Sequence, residues 1–444
     1  MKRLTQTTVA LALVAVAIRV HNALRYPADW GFDASFNWRY IYRLTQEWTL
    51  PPAQAGWSTS DPPLFYYASA VVMRSLAALG ARDAAVFVLP LLSALEGLGV
   101  VALAVALVRR AAPADSLRIA LAGLLLLFLP AHLHMSAMLN EGMLLALLTS
   151  AAVYGLALRD GAPARHPLAG AAAVGLWSGL ALLTKLSGAL AVLTGVATYA
   201  LDGRRAGARS RAAARIAVLG LVSLAIGGWF HARTQLETGS LQPFALGPHT
   251  GMLALPPGER TLADYLRVPL ATFSDPQLLN PDLLHSVWGS TYVTVWFDGH
   301  RFFLPRESEA VRYLGTLTLV LALLPTAAFA VGLARGSRRW LHGAGALDLP
   351  LLLLTALTLA SYVWFTWRNP FFSVVKGTSL LGLSLPYAFY ASETLAGWLR
   401  GRFGRWVGFA LSLLAVCVAV SCTFDLVFTK PEISGLPWPP AEGR

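Results

Sequence analysis

The chain is divided by predominantly apolar runs of about twenty residues, the length that an α-helix needs to cross the hydrocarbon core of a bilayer. These runs lie at 4–24, 85–108, 117–136, 138–158, 168–184, 186–201, 215–233, 311–334, 348–367, 372–397 and 406–424. Backbone polar groups immersed in lipid must bond within their own segment, so each run predicts a helix. We therefore expect an all-α polytopic membrane protein with about eleven transmembrane helices, within a range of about 10 to 13. It would form one integral membrane domain over residues 1–444.

The positive charge of the chain is interpreted as a signal of topology rather than as a surface for nucleic acid. Only 13% of the residues are charged and the net charge is +12, but the basic residues stand in short connectors between the apolar runs. These connectors are 109–110, 159–165, 204–215, 335–339 and 400–405. Lys and Arg collect in the cytoplasmic connectors of membrane proteins, so we expect no nucleic-acid partner.

The number of membrane crossings that precede a connector determines whether it faces the cytoplasm or the outside. A further apolar stretch at 62–80 begins at a double proline, and if it crossed the membrane every later basic connector would face outward. If it stays at the outer interface, all of these connectors face the cytoplasm together with Lys2 and Arg3. We therefore expect a cytoplasmic N-terminus and an external C-terminus.

Two polar regions lie outside the membrane on this topology. The first, 25–61, contains a predicted surface helix from 34 to about 48. Large apolar residues recur there every four positions, at Phe36, Tyr40, Leu44 and Trp48. The second region, 234–310, is the longest extramembrane stretch, and a capping pattern at Thr261 predicts a short helix within it. We expect this second region to form an external cap.

Asp33 and Asp61 stand in polar segments at the edge of the predicted bundle. Asp33 directly precedes the surface helix, where Asp is a favoured N-cap. Asp61 precedes Pro62, and an N-cap followed by proline in the first turn is a common start of a helix. A carboxylate at the membrane face can also accept a proton or bind a cation. Capping and catalysis are therefore both open for these residues.

Five further charged residues fall at predicted outer ends of helices, namely Glu141, Lys185, Arg301, Arg368 and Lys376. Glu141 either starts the next helix or contributes to a site. Basic residues on the outer side oppose the orientation trend, which favours a functional role for them. The four cations together predict a site for phosphate or pyrophosphate at the bilayer surface. Lysine and arginine side chains donate charge-assisted hydrogen bonds to phosphate oxygens.

Several familiar site types are absent from the sequence. It contains no Gly-rich phosphate loop after a strand, no His-x-x-x-His zinc pair and no Gly-x-Ser-x-Gly nucleophile elbow. Cys417 and Cys422 lie in the last apolar run and point to different sides of a helix, which excludes a disulfide framework. A sugar donor would therefore be borne by the membrane rather than by a nucleotide-binding domain.

Four motifs, in order, resemble those of the GT-C glycosyltransferases, and most of all the family 39 branch with protein O-mannosyltransferases and lipid A aminoarabinose transferases. They are Gly31-Phe32-Asp33, Asp61-Pro62-Pro63-Leu64-Phe65-Tyr66-Tyr67, Asn140-Glu141 and Leu182-Leu183-Thr184-Lys185. That family carries an acidic residue in the first external loop, a His- or Asp-Pro-Pro-Leu turn, a polar-acidic pair and a Leu-Leu-Thr-Lys turn. The match spans roughly the first 200 residues. Asp61 stands where many relatives carry histidine.

The resemblance implies transfer of a sugar, with inversion, from a polyprenyl-phosphate donor to an acceptor hydroxyl at the periplasmic face of a bacterial inner membrane. The acceptor can be a lipid, a glycan or a protein. The implied roles are Asp33 as general base, Asp61 and Glu141 as supporting carboxylates, and Lys376, Arg368, Arg301 and Lys185 as ligands of the donor phosphate. Family members differ in their use of a divalent cation, which Asp33 and Asp61 could hold loosely.

Two other functions are alternatives for a polytopic chain of this kind. A transporter or flippase of lipid-linked sugars would line a path with intramembrane charges, but such proteins are expected to show symmetry between their halves, and we find no internal repeat. A polymerase or ligase of surface polysaccharide would centre its site on the long late loop rather than on an early carboxylate.

Reporter fusions test the expected topology. A reporter that is active only in the cytoplasm should be active when it is fused at Arg110 or Arg205, because both residues lie in basic connectors. An external signal at either position would contradict the assignment.

Overall fold

The computed structural model describes residues 2–159, 168–241, 243, 251, 252 and 254–434. Its helices are α1 (Lys2–Arg25), α2 (Ala34–Glu47), α3 (Leu64–Ala78), α4 (Ala85–Ala111), α5 (Ser116–Leu127), α6 (Pro130–Met135), α7 (Gly142–Ala157), α8 (Ala169–Thr184), α9 (Ala189–Arg205), α10 (Arg209–Ser223), α11 (Trp229–Thr238), α12 (Leu262–Leu266), α13 (Ala271–Ser274), α14 (Pro281–Leu284), α15 (Val287–Trp296), α16 (Glu309–Leu341), α17 (Asp348–Arg368), α18 (Ser384–Arg400) and α19 (Gly404–Cys422). No β-strand occurs within these ranges.

Within the described residues, seven helical segments are long and apolar enough to cross a membrane. They are Thr5–Arg25, Arg82–Ala111, Leu186–Arg205, Arg209–Thr238, Glu309–Leu341, Asp348–Arg368 and Gly404–Cys422. Shorter apolar helices are Leu64–Ala78, Ser116–Leu127, Gly142–Ala157 and Ala169–Thr184. The protein is therefore an all-α polytopic membrane protein, as the apolar runs predicted.

The run at 117–136 is not one continuous helix, which corrects the sequence prediction. It breaks after Leu127, and α6 starts at Pro130, which lacks an amide hydrogen for the helical ladder. The guanidinium of Arg19 on α1 donates hydrogen bonds to the freed carbonyls of Leu127 (2.9 Å) and Leu126 (3.3 Å). A buried arginine from another helix thus satisfies the broken helix end.

The run at 372–397 is also interrupted, and α18 starts only at Ser384. The preceding segment forms short 3₁₀ turns at Phe372–Val374 and Gly377–Leu383. Gly377 packs so close to α15 that an added Cβ would lie 2.4 Å from a methyl carbon of Val295. This close approach leaves Lys376 on an irregular connector instead of a helix.

The first polar region folds much as predicted, because α2 covers Ala34–Glu47. Its buried face differs from the predicted stripe, since Trp38 and Ile41 are buried whereas Trp48 is 44% exposed. The reason is that α2 packs against α3, and the ring of Tyr40 lies 4.3 Å from that of Tyr66. The helix therefore belongs to the packed structure.

The region 234–310 is described only in part, because residues 242, 244–250 and 253 lie outside the described ranges, as does 160–165 of the connector 159–165. The capping pattern at Thr261 is confirmed: its backbone N–H donates to the Asp264 carboxylate (2.9 Å) at the start of α12. The helix α15 that follows packs against α16 and the 3₁₀ segment Gly377–Leu383. The end of this region therefore contributes to the bundle.

Candidate active site

Five of the charged residues singled out in the sequence interact at one end of the helical bundle: Asp33, Asp61, Glu141, Lys185 and Lys376. Each follows or precedes a helix and lies on an irregular segment. Three carboxylates and two ammonium groups from distant parts of the chain therefore share one electrostatic environment.

Asp33 does not cap α2 with its side chain, although it occupies the N-cap position. Its backbone is left-handed, with φ 56° and ψ 7°, a conformation that is uncommon for residues other than glycine. Its Oδ1 accepts a hydrogen bond from Nε1 of Trp57 (3.0 Å). No described residue donates to Oδ2, so this oxygen is available to a ligand. Strained backbone of this kind occurs preferentially at functional sites.

Asp61 does not cap a helix either, because α3 starts at Leu64 with Pro63 as its N-cap. The hydroxyl of Tyr66 lies 3.5 Å from Oδ2 of Asp61 but closer, 3.0 Å, to Oδ1 of Asn37, to which it donates. Burial raises the pKa of Asp61 to about 7, and the nearby carboxylate of Glu141 adds to this effect.

Glu141 and Lys185 form an ion pair at the centre of this group. The Glu141 side chain is only 3% exposed and makes no capping hydrogen bond to α7; Asn140 caps instead, through its Oδ1 and the N–H of Gly142 (2.7 Å). Burial alone would lower the pKa of Lys185, but the carboxylates of Glu141 and Asp61 outweigh it and the net direction is upward. Lys185 is thus the counter-ion of a buried carboxylate.

Lys376 is the second cation, and its ammonium group lies 4.5 Å from the centre of the Phe32 ring. Among the described residues, no carboxylate lies within salt-bridge distance of this lysine. Burial lowers the pKa of Lys376, and the carboxylate of Asp33 opposes that shift. The ring of Phe32 is in turn held by edge contacts with His300 (4.8 Å) and Phe302 (4.9 Å).

A cleft of about 360 Å³ opens beside the two lysines. Its polar end is lined by Lys185, Lys376 and Asn140, and its other end by apolar side chains of α9 and α17. Among the latter, Leu193 is 50% and Trp364 is 66% exposed. The cleft therefore joins two cationic side chains to exposed apolar side chains, an arrangement that matches an amphiphile with an anionic head.

Arg301 and Arg368 do not line this cleft. Arg301 is 4% exposed and donates to the carbonyl of Asp298 (3.3 Å), with its guanidinium 5.2 Å from the ring of Phe297. Its loop is organised by the Asp298 carboxylate, which accepts three backbone hydrogen bonds. Arg368 is exposed at the end of α17. The structure therefore does not bring these two arginines to the cleft.

The sequence analysis missed Trp57, Asn37 and Phe32. Trp57 holds Asp33, and Asn37 joins the first polar region to the bundle by donating to the carbonyl of Leu139 (3.0 Å) and accepting from Ser58 (2.7 Å). The only signal for Phe32 in the sequence is its place beside Asp33. None of these roles follows from spacing, because the partners are distant in the chain.

The residues of the site fit a metal ion poorly. No three His, Cys, Asp or Glu side chains converge anywhere in the described ranges in a way that could hold one. Asp33 already accepts from Trp57, and a cation between Asp33 and Asp61 would lie beside Lys185, whose pKa responds to both carboxylates.

Comparison of the chain with protein-family models gives no match, and comparison with curated proteins gives none either. Solved structures do match. The Archaeoglobus fulgidus oligosaccharyltransferase in complex with Zn and sulfate aligns with 94% of this chain at 14% identity and a TM-score of 0.55. The oligosaccharyltransferase AglB of the same organism, with an inhibitory peptide and a dolichol-phosphate, aligns with 94% of the chain at 13% identity and a TM-score of 0.53.

This chain covers 53% and 56% of those two structures, so it spans little more than half the length of the oligosaccharyltransferase. ArnT from Cupriavidus metallidurans bound to undecaprenyl phosphate gives a looser superposition, with 89% and 78% of the two chains aligned, 16% identity and a TM-score of 0.43. The fold is therefore assigned from the oligosaccharyltransferase, and it is the GT-C-type bundle that the sequence predicted.

Asp61→Asn is expected to raise the midpoint of thermal unfolding more at pH 8 than at pH 5. The ordinary pKa of 3.8 rises to about 7 in the folded protein, so the folded state binds more protons between these values and stability falls as pH rises. Asparagine does not titrate, so the Asp61→Asn variant lacks this loss of stability at high pH. The control is Asp83→Asn at an exposed position, where the shift should be equal at both pH values. An equal shift for Asp61→Asn would contradict the placement of Asp61.

Proposed function

We propose that this protein transfers a sugar, with inversion, from a polyprenyl-phosphate donor to an acceptor hydroxyl at the outer, periplasmic face of a bacterial inner membrane. The observation that carries the proposal is the position of Asp33, whose charge acts on the ammonium group of Lys376 in the lining of a largely apolar cleft. The fold shared with an oligosaccharyltransferase that binds a dolichol-phosphate supports a lipid-linked donor.

The cleft supports a defined orientation of the donor. The phosphate binds beside Lys376, which lies on Phe32 and pairs with no described carboxylate. The prenyl chain follows the apolar wall past Leu190 and Leu193 toward the membrane. Lys185 is held by Glu141 and contributes a second, partly neutralised charge. The sugar then lies between the phosphate and Asp33.

Asp33 is the general base in this proposal. Its Oδ2 takes the proton of the acceptor hydroxyl while the acceptor oxygen attacks the anomeric carbon, and the bond from that carbon to the phosphate oxygen breaks. A single displacement inverts the configuration and needs only one carboxylate to accept a proton. The leaving phosphate gains negative charge, which the two lysines stabilise without any proton donor.

The charges of the site favour a donor with one phosphate rather than two. Lys185 is committed to Glu141, so Lys376 is the cation that remains for the ligand. With Arg301 and Arg368 away from the cleft, a pyrophosphate would bring more negative charge than the neighbouring residues can balance. The acceptor can be a lipid, a glycan or a protein hydroxyl.

Asp33→Asn tests the general base directly. We expect the rate of sugar transfer from a purified polyprenyl-phosphate donor to fall by roughly 10²–10⁴-fold, the usual contribution of general base catalysis. Asparagine tolerates the left-handed backbone and can still accept from Trp57, so the thermal unfolding midpoint should change little. Transfer at the normal rate by a folded Asp33→Asn variant would refute the proposal.

Lys376→Met tests the phosphate site, with Arg368→Met as its matched control. Methionine keeps the length of the side chain and can pack against Phe32, whereas a lost charge-assisted hydrogen bond costs about 1.5–3 kcal/mol. We therefore expect kcat/KM for the donor to fall about 10- to 100-fold. The Arg368→Met variant should retain normal kinetics. Equal losses in the two variants would contradict the assignment of Lys376.

A further inference from the structure

A row of large apolar side chains is exposed on the external region between α12 and α14, and we call it the leucine ridge. Its members are Leu262 (73% exposed), Leu266 (86%), Val268 (55%), Leu270 (85%) and Leu279 (62%). Contiguous apolar surface of this kind is rare on parts of proteins that face water, and it indicates an interaction surface. It lies outside the seven candidate membrane spans.

The opposite side of this segment is fastened to the bundle. The hydroxyl of Tyr265 lies 2.9 Å from Oγ1 of Thr366 and 3.3 Å from the carbonyl of Val363, both on α17. Pro276 packs on α16 so closely that a Cβ added to Gly315 would lie 2.8 Å from its ring. The segment therefore has a packed inner face, and the leucine ridge points away from the protein.

These fastening points show how deep the segment lies. The helix α17 has 21 residues, or about 32 Å at 1.5 Å per residue, which matches the roughly 30 Å hydrocarbon core of a bilayer. Val363 precedes the end of α17 at Arg368 by five residues, which is about 8 Å along the helix. The segment thus contacts α17 below the level of its end. Because Arg368 lies on the side of the membrane that the sequence predicts to be external, this depth corresponds to the outer lipid leaflet.

The charged groups of this segment have polar partners. Asp264 is buried and lies 3.7 Å from His285. The exposed Arg267 pairs with Asp282 (2.7 Å), and the Asp275 carboxylate accepts a hydrogen bond from the neutral amide of Asn280 (2.7 Å). Each charged side chain among the described residues from 261 to 284 is therefore in an ion pair or a hydrogen bond, which lowers the cost of placing it near lipid.

Large aromatic side chains are also exposed on the two helices against which this segment packs. Tyr313 on α16 is 63% exposed, and Trp364 and Trp367 on α17 are 66% and 47% exposed. Tryptophan and tyrosine are typical of the membrane interface, and the ring of Tyr265 lies 5.8 Å from that of Trp367. The segment thus lies beside an exposed aromatic side chain of α17.

From these observations we infer that the leucine ridge is inserted into the outer lipid leaflet, so that the segment is a monotopic membrane anchor and not a solvent-exposed cap. The partner of this surface is the acyl-chain region of the bilayer, in the manner of interfacial helices that bury one apolar face. The exposure of the leucine ridge and the depth of its contact with α17 support this arrangement, which does not depend on the proposed reaction.

Depth-dependent fluorescence quenching tests this inference on the whole protein in lipid nanodiscs. Cys417 and Cys422 are replaced by alanine, and an environment-sensitive fluorophore is attached to Leu266→Cys. We expect a blue-shifted emission that is quenched by doxyl-labelled phospholipid and not by aqueous iodide. The matched control is Glu307→Cys, an exposed residue before α16, where iodide should quench and doxyl lipid should not.

Two results would overturn the inference. Quenching of the Leu266 label by iodide and not by doxyl lipid would place the leucine ridge in water. Protection from both quenchers would mean that protein, such as a second copy of the chain, covers it. Leu270→Cys gives an independent position on the leucine ridge if the first variant fails to fold, and it should show the same preference for doxyl lipid.

Discussion

The ion pair between Glu141 and Lys185 is the interaction on which the rest of the site depends. An uncompensated charge in a buried position is costly, so the nearly inaccessible Glu141 carboxylate requires its lysine partner. That pair joins the start of α7 to the break between α8 and α9. Because it commits Lys185, it also leaves Lys376 as the cation that can meet an anionic ligand.

The membership of the site could be predicted in part, because helix ends are marked in the sequence. The order of the four motifs predicted that Asp33, Asp61, Glu141 and Lys185 would be neighbours, and the structure brings them together with Lys376. Local rules misled where they concerned capping, since the side chain of Asp33 bonds Trp57, 24 positions away, instead of its own helix. The sequence pattern does not determine the position of a residue around the bundle, so it could not predict that Arg301 lies away from the cleft.

The fold class could be predicted from the apolar runs, but their continuity as helices could not. Hydropathy indicates which segments lie in lipid, but it does not show where a helix is interrupted. An interruption inside lipid requires a hydrogen-bond partner for each freed backbone group. At the end of α5 that partner is Arg19, more than a hundred positions earlier in the chain. At 375–377 the break is stabilised by Thr294, whose hydroxyl accepts from the N–H of Gly377 (2.7 Å). This second break places Lys376 at the cleft, so irregular backbone and function coincide.

The central claim is that a lipid-linked phosphate binds between the two lysines with its chain in the apolar cleft. A structure of the protein with bound polyprenyl phosphate tests it most directly. The account predicts the phosphate within hydrogen-bond distance of the Lys376 ammonium group and the chain along Leu190 and Leu193, with Oδ2 of Asp33 facing the open side. A phosphate bound at Arg301 or Arg368, or a chain that leaves through another part of the bundle, would contradict it.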